Sequence, residues 1–362
     1  MTVWIDGGAR GAATNSLLEV KDLTVSFPTD DGIVQAVRGV GYELVGGESL
    51  GIVGESGSGK SVSSLAVMGL LPGTARVSGS VCFKGEQLLG KSENEYSRVR
   101  GHHISMIFQD PLTSLNPVYS VGRQIAEAVM AHNEVSRKQA RSRAVELLEV
   151  VGIPSPQQRV DSFPHEISGG MRQRVVIAIA IANNPDVIIA DEPTTALDVT
   201  VQAQVLEALE SARTLTGAAL VLITHDLGII AGHADRVCVM YAGKLVETGT
   251  VDDVFYRPRM PYTLGLLGSL PRLDSFGKQR LTPIGGSPPS MVNLPPGCPF
   301  AARCPLVREI CRSREPDLAA TESTDHRSAC HYHQKLVGLS AAQLFGTSSA
   351  DPDPPDVPEP TR

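Results

Sequence analysis

The sequence Gly54-Glu55-Ser56-Gly57-Ser58-Gly59-Lys60-Ser61 fits the pattern G-x-x-x-x-G-K-[ST], which is typical of a phosphate-binding loop. It lies between an apolar run at 49–53 and a helix-like run at 62–71. Glycines let successive backbone N–H groups face one anion, and the start of a helix adds the positive end of its dipole. We therefore predict a loop that cradles nucleotide phosphates, with Lys60 on the β- and γ-phosphates and Ser61 on Mg²⁺. A chance match in a Gly/Ser-rich turn is the alternative.

Length and composition bound the class of protein. The chain has 362 residues, of which 42% are hydrophobic and 20% charged, as in an ordinary globular protein. The net charge of −7 gives no indication of a nucleic-acid surface, and no uncharged apolar stretch reaches the ~18 residues of a membrane-spanning helix. Residues 1–16 lack the basic and apolar regions of a secretory signal, so we expect a flexible tail there.

The order of strand-like and helix-like segments predicts an α/β fold. Residues 17–110 alternate strand-like runs with Gly-rich turns, and strand patterns return at 187–190 and 219–223 around a helix at 199–213. Between these parts, apolar residues at helical spacing predict a helical insertion at about 111–171. We therefore expect parallel strands joined by crossover helices.

Two acidic residues close one of the apolar strands. Asp191 and Glu192 follow the run at 187–190, which places carboxylates at the carboxyl edge of a parallel sheet, opposite the phosphate loop. We assign Asp191 to Mg²⁺, through water, and Glu192 to the general base that polarises the attacking water. A solvated turn is the alternative interpretation of such a pair.

Gln109 and His225 each follow a strand-like run. Gln109 comes after the run at 104–108, so its amide can reach Mg²⁺ or the attacking water. His225 ends the run at 219–224, at the same sheet edge as the acidic pair and within reach of a γ-phosphate. Taken alone, Gln109 would be an exposed loop residue and His225 would bond only locally. We include both among the catalytic candidates.

The segment Ser168-Gly169-Gly170 predicts a second anion site. It combines a hydroxyl group and two glycines with the start of a helix at 175–182. The loop at 54–61 already serves this chain's own phosphates, so a second phosphate site implies a second subunit. A simple N-cap at Ser168 is the alternative, but it does not explain the paired glycines.

In this order, the motifs resemble those of ATP-binding cassette (ABC) subunits. The matching elements are Walker A at 54–61, Gln109, a signature at Ser168, Walker B at Asp191-Glu192, Asp198 and His225. The resemblance implies a P-loop NTPase (RecA-like) ABC nucleotide-binding domain over 17–256. It also implies head-to-tail dimers in which each ATP lies between the Walker A of one subunit and the signature of the other.

The resemblance extends to other positions of the nucleotide site. It implies that Asp198 belongs to the site and that Phe27 stacks on adenine, with a core strand position as the alternative for Phe27. The signature departs from the commonest Leu-Ser-Gly-Gly-Gln, since Ile167 and Met171 stand at its first and last positions.

The C-terminal region resembles that of dipeptide, oligopeptide and nickel importers. The segment Arg257-Pro258-Arg259-Met260-Pro261-Tyr262-Thr263 is similar to the His-Pro-Tyr segment of that branch, with Met260 in place of histidine. The similarity continues to about residue 335, which implies a C-terminal extension over 257–335. We expect residues 336–362 to be a largely disordered tail.

Four cysteines fall within this extension, at Cys298, Cys304, Cys311 and Cys330. Their spacing, C-x₅-C-x₆-C-x₁₈-C, fits neither common zinc ribbons nor a disulfide framework. Four thiolates suit an iron–sulfur cluster, and the resemblance implies a [4Fe–4S] cluster here. Zinc and free thiols are the alternatives. The zinc alternative is kept by three nearby histidines that are possible ligands, His326, His331 and His333.

The resemblance also implies an activity and partners. It implies an ATPase that is peripheral to the cytoplasmic face of the cell membrane and powers peptide uptake through two permease subunits. The permeases would dock on the helical insertion, and Gln109 would couple that contact to the nucleotide. We expect a second, homologous ATPase subunit, with a homodimer as the alternative.

An extracytoplasmic substrate-binding protein would act indirectly, and no nucleic acid is expected. Import of nickel or another small solute is the first alternative activity. A soluble, non-transport ABC ATPase is the second, but such proteins usually carry long coiled coils or a second cassette.

Overall fold

The computed structural model describes residues 16–195, 197–270 and 283–346, apart from the side chain of Leu112. The predicted N-terminal tail lies outside this part except for Ser16, which begins the first strand. Residues 347–362 of the predicted C-terminal tail also lie outside it.

The strands are numbered in chain order. They are β1 (Ser16–Thr29), β2 (Gly32–Val45), β3 (Ser49–Val53), β4 (Arg76–Phe83), β5 (Glu86–Gln87), β6 (Ile104–Ile107), β7 (Val187–Asp191), β8 (Ala219–Thr224), β9 (Arg236–Tyr241), β10 (Lys244–Thr250), β11 (Ala319–Ala320) and β12 (Arg327–Ser328).

The helices are numbered in the same way. They are α1 (Lys60–Val67), α2 (Glu93–Val99), α3 (Pro111–Ser114), α4 (Val121–His132), α5 (Arg137–Val150), α6 (Pro156–Arg159), α7 (Gly169–Ala180), α8 (Val199–Thr216), α9 (Leu227–His233), α10 (Val251–Tyr256), α11 (Pro261–Gly268), α12 (Glu309–Ser313) and α13 (Ala341–Phe345).

The described strands form two sheets. One is antiparallel and has the order β2-β1-β4-β5. The other has the order β11-β12-β10-β9-β3-β8-β7-β6, and its strands from β9 to β6 are parallel. Every residue of β3, β7 and β8 is buried, as expected of central strands that are covered on both faces. The predicted α/β fold with parallel strands is confirmed.

Helices α3 to α6 occupy the predicted insertion, and α7 begins at its end. Helices α4 and α5 each start at a serine whose hydroxyl accepts a backbone N–H, at Ser120 and Ser136. Their apolar faces pack with α7 into one core, where the side chains of Ile125, Leu148 and Ile177 are fully buried. Among the described helices, none is long and apolar enough to cross a membrane.

The C-terminal extension continues the main sheet. Strand β12 pairs with β10, where Glu247 lies opposite Ser328. The Glu247 carboxylate is fully buried and lies 2.8 Å from Nε2 of His326, and it also accepts the backbone N–H groups of Arg259 and Met260. Because a buried carboxylate needs such partners, these contacts fasten the extension to β10 of the main sheet.

The structure differs from the sequence prediction at residues 336–346. These were expected in a disordered tail, yet α13 forms there behind an N-cap at Ser340. Leu344 on α13 is buried against Leu264 of α11 and Leu336. The apolar spacing of this short helix is too brief to stand out in the sequence, and only packing against α11 stabilises it.

Candidate functional site

The phosphate loop has the predicted position between β3 and α1. Gly59 is the residue before α1 and has a left-handed backbone, with φ of 102°. A Cβ on Gly54 would lie 2.2 Å from the carbonyl oxygen of Met240, and one on Gly59 would lie 2.3 Å from that of Ala36. Only glycine fits at these two positions, so β9 and β2 fix the path of the loop.

The side chain of Lys60 folds back into the phosphate loop. Its side chain is 4% exposed, and Nζ donates to the carbonyl oxygens of Gly54, at 2.8 Å, and Glu55, at 3.1 Å. Burial lowers the pKa of Lys60, against the opposing effect of nearby carboxylates. The hydroxyl of Ser58 is also buried and has no hydrogen-bond partner among the described residues. Both groups suit an anionic ligand at this loop.

Ser61 and Asp191 meet across the site. The Ser61 hydroxyl donates to Oδ1 of Asp191 at 2.9 Å. Burial raises the pKa of Asp191, and the hydrogen bond from Ser61 partly opposes that shift. A hydroxyl and a carboxylate side by side are oxygen ligands of the kind that Mg²⁺ prefers.

Glu192 is the point where the predicted catalytic residues converge. Its Oε2 accepts from Nε2 of Gln109 at 3.2 Å and lies 3.3 Å from Nδ1 of His225, while Oε1 lies 3.9 Å from Nζ of Lys60. Thr195, which no sequence pattern indicated, donates its hydroxyl to Oε2 at 2.8 Å. The structure therefore brings together side chains that β6, β7 and β8 carry at one sheet edge.

The backbone of Glu192 is unusual. Its φ is 47°, in the left-handed region that residues other than glycine rarely adopt. Its N–H donates to the carbonyl oxygen of Ile223 at 2.9 Å. Such strain persists only where the surroundings hold it, and it is common at functional positions.

The signature segment differs from the prediction in where its helix begins. Helix α7 starts at Gly169 rather than residue 175, and Ser168 is its N-cap, accepting the N–H of Met171. A Cβ on Gly170 would lie 2.2 Å from Cγ1 of Val201 on α8, so packing accounts for this glycine. Ser168 and Gly169 are exposed. The N-cap is confirmed, and binding of a second anion stays a prediction.

Two candidate nucleotide contacts have structural partners of their own. Asp198 is the N-cap of α8 and accepts the N–H groups of Thr200 and Val201. Phe27 is partly buried, packs against the core between the sheets and lies opposite Val34 in the β1–β2 pair. Their nucleotide roles stay predictions.

The four cysteines of the extension line one cavity of about 20 Å³. All six cysteines of the chain are described and are free thiols. Burial raises the pKa of Cys298 to about 11 and of Cys304 and Cys330 to about 12, so without a metal these groups are neutral thiols. His331 lines the same cavity, whereas His326 is engaged with Glu247.

This cavity does not have the form of a finished metal site. In the part of the chain that the structure describes, no group of three or more His, Cys, Asp or Glu side chains is arranged to hold a metal ion. The volume suits one water or ion, so a four-iron cluster would require the lining to move apart. The donor type fits, but the arrangement does not support the predicted iron–sulfur cluster.

Two residues of the extension touch the phosphate loop, and neither contact could be predicted from the sequence. Arg303 forms two hydrogen bonds with the carboxylate of Glu55, and Tyr262 accepts the Glu55 N–H. The partners are 248 and 207 residues apart in the chain, beyond any local pattern.

Comparison with known proteins agrees with this geometry. The ABC transporter family profile matches residues 37–195, and the profile of the oligopeptide/dipeptide transporter C-terminal region matches residues 246–311. An oligopeptide transport ATP-binding protein, OppD, of Bacillus subtilis is 55% identical over 86% of this chain and 87% of its own length. This chain belongs to the ABC transporter ATP-binding family.

A second relative in the ABC family is the OppD of Mycobacterium tuberculosis, 58% identical over 91% of this chain. The chain spans about half, 54%, of that protein's length. Among solved structures, the ATP-binding cassette MJ0796, a dimer in a post-hydrolysis state bound to ADP and Pi, has a TM-score of 0.58 and 26% identity. That similarity covers 65% of this chain and 98% of the cassette.

Proposed function

We propose that this chain is the ATP-hydrolysing subunit of an ABC importer that takes up di- or oligopeptides through partner permeases. The observation that carries the proposal is the convergence of Gln109, His225 and Lys60 on Glu192, beside the Ser61–Asp191 pair. The peptide names of the relatives and the matching C-terminal region support the choice of cargo.

In this proposal, each side chain has one task. The loop N–H groups and Lys60 bind the phosphates, and Glu192 accepts the proton of the attacking water. Gln109 donates a hydrogen bond to Glu192, and His225 faces it. These two side chains orient that water and the γ-phosphate. Ser61 and Asp191 would hold Mg²⁺, with Gln109 as a further ligand. An ion held there would neutralise charge on the β- and γ-phosphates.

The proposed assembly places the chain at the cytoplasmic face of the membrane. Two permease subunits would dock on the helical insertion of about 111–171, and a second, homologous ATPase would supply the opposing signature. Two apolar side chains flanking α3 support this docking surface, since Phe108 is 39% and Val118 is 69% exposed. Both lie close in sequence to Gln109, which would transmit permease contact to Glu192.

The direct test is transport in reconstituted vesicles. We expect the chain, purified with its membrane partners and supplied with the extracytoplasmic binding protein, to accumulate a labelled oligopeptide when ATP is present. A non-hydrolysable ATP analogue is the control for passive entry. Accumulation of Ni²⁺ instead of peptide would favour the nickel alternative, and ATP hydrolysis that is indifferent to permeases and cargo would contradict an importer.

We further propose that the four cysteines of the extension hold a metal group. An iron–sulfur cluster is the form that the resemblance implies, and zinc is the alternative. What supports a metal is the cavity that the four thiols share, where Cys311 is buried and the other three are partly buried. Binding would exchange thiol protons for metal bonds and cross-link a segment with little regular structure. In addition, the N–H of Cys298 donates to the carbonyl of Cys311 at 2.7 Å, which already ties two of the ligands.

Metal analysis separates these alternatives. Protein purified without oxygen should be brown and contain about four irons and four sulfides per chain. Cys304→Ser should lose this metal and loosen the extension, whereas Cys82→Ser, in β4, is the matched control and should keep it. Stoichiometric zinc without iron would show that the cysteines hold zinc instead of a cluster. Protein with neither metal would show four free thiols and refute the proposal.

A further inference from the structure

The C-terminal extension contacts Glu55, the residue that follows the first glycine of the phosphate loop. Nη1 and Nη2 of Arg303 donate to the two carboxylate oxygens of Glu55 at 2.7 and 2.8 Å. The backbone N–H of Glu55 donates to Oη of Tyr262 at 2.8 Å, and its carbonyl oxygen accepts from Nζ of Lys60 at 3.1 Å. The extension therefore holds the residue that in turn contacts the phosphate-binding lysine.

Arg303 is held in a fixed orientation. Its side chain is 4% exposed, and Nε donates to the carbonyl oxygen of Gly285 at 3.0 Å. The guanidinium carbon lies 5.8 Å from the ring centroid of Phe300 and 5.9 Å from that of Tyr241. The ring of Tyr262 packs on both, at 4.6 Å from Tyr241 and 5.5 Å from Phe300. Two parallel hydrogen bonds from so confined a guanidinium fix the position of a carboxylate.

The ion pair with Arg303 also compensates the negative charge of Glu55. Glu55 places a negative charge within the loop that is to receive a triphosphate, and its side chain is only 28% exposed. Water screens such a charge incompletely, so an unpaired Glu55 would repel the phosphates. Arg303 supplies the compensating charge.

We propose, on the basis of the ATPase function above, that Arg303 is a positioning residue of the ATP site. It neutralises Glu55 and, with Tyr262, fixes the conformation of the Walker A loop. Nucleotide affinity then depends on the C-terminal extension. Arg303 directly precedes Cys304, which lines the cysteine cavity together with Phe300, so order in the cysteine segment is transmitted to the loop.

The test is ATP binding and hydrolysis by Arg303→Ala in the full chain. We expect the Kd and KM for Mg·ATP to rise about 10-fold, with kcat changed by less than about 3-fold, because the substitution leaves Glu192 in place. The loss should be smaller for ADP than for ATP and should shrink at high salt, since it follows the charge of the ligand.

A second variant separates charge from structural damage. Arg303→Ala combined with Glu55→Gln should bind ATP within about 3-fold of the native chain, because the repelling charge is gone. Arg303→Lys, which keeps the charge and is less disruptive, should lie between the native chain and Arg303→Ala. Glu315→Gln is the matched control: it removes the two ion pairs of the extension with Arg38 and Lys244 but no contact of Glu55 or Arg303, and should leave ATP affinity unchanged.

The outcomes distinguish this inference from the proposed function. A native chain that neither binds nor hydrolyses ATP would refute the ATPase proposal itself. The native chain serves as the reference for the two variants. If it binds ATP, and both Arg303→Ala and Arg303→Lys bind ATP with the native affinity, only the positioning role is wrong. Equal losses for ATP and ADP without rescue by Glu55→Gln would show that Arg303 merely supports the fold.

Discussion

Glu192→Gln is expected to lower ATP turnover by about 10²–10⁴-fold while ATP affinity stays within about 3-fold of the native chain. The amide keeps the shape of the side chain but cannot accept the proton of the attacking water. Its partners Gln109, Thr195 and His225 remain in place, so the loop and its nucleotide should be little disturbed. The variant should therefore accumulate as a closed, ATP-bound dimer.

The measurements are single-turnover hydrolysis and equilibrium ATP binding on the same preparation. Glu210→Gln is the matched control, because Glu210 lies on α8 in an ion pair with Arg213. Lys60→Ala provides the contrast, since it should weaken ATP binding itself. Near-native hydrolysis by Glu192→Gln would place the general base elsewhere, and unchanged ATP affinity in Lys60→Ala would remove Lys60 from the phosphate site.

Ser168→Arg is expected to reduce steady-state hydrolysis by about 100-fold without emptying this subunit's own Walker A site. The signature begins α7, and Ser168 and Gly169 are exposed, so a bulky cation there would obstruct the nucleotide of an opposing subunit. The hydrogen bonds of Lys60 are made within its own loop, to Gly54 and Glu55, so ATP binding by the isolated subunit should persist.

Two experiments check this result. Ser142→Arg, at an exposed position of α5, carries the same change and should hydrolyse ATP normally. If the subunits form a homodimer, a mixture of Lys60→Ala and Ser168→Arg chains should recover hydrolysis, because one of the two composite sites is then intact. Loss of ATP binding by the isolated Ser168→Arg chain, as severe as in Lys60→Ala, would show that the signature acts within its own subunit.

The candidate nucleotide site was largely predictable from the sequence because its residues lie at strand ends. Asp191, at the end of β7, and Glu192 and His225, just after β7 and β8, needed only the parallel sheet to come together. The motif itself predicts loop glycines such as Gly54 and Gly59, and the structure adds a second reason for them, since carbonyl oxygens of other strands leave no room for a Cβ. Local pattern and sheet geometry agree in this region.

Prediction from the sequence was weaker for residues whose role depends on packing against distant parts of the chain. The sequence pattern predicts a phosphate site at the paired glycines 169–170, but in the structure the close approach of Val201 requires Gly170. The four cysteines were predicted to form a cluster, and the structure gathers them around one small cavity without arranging them as ligands. Spacing along the chain gives the number and type of donors but not the volume that they enclose.

The sequence by itself determined the α/β fold, the phosphate loop, the order of the catalytic candidates and the resemblance to ABC subunits, because each depends on short segments with fixed geometry. Only the tertiary structure decided that the extension grips the loop through Arg303 and Glu55 and is anchored by Glu247 and His326. These partners lie 248 and 79 residues apart, and their contacts form only after the fold has brought the two segments together and excluded most of the water around them.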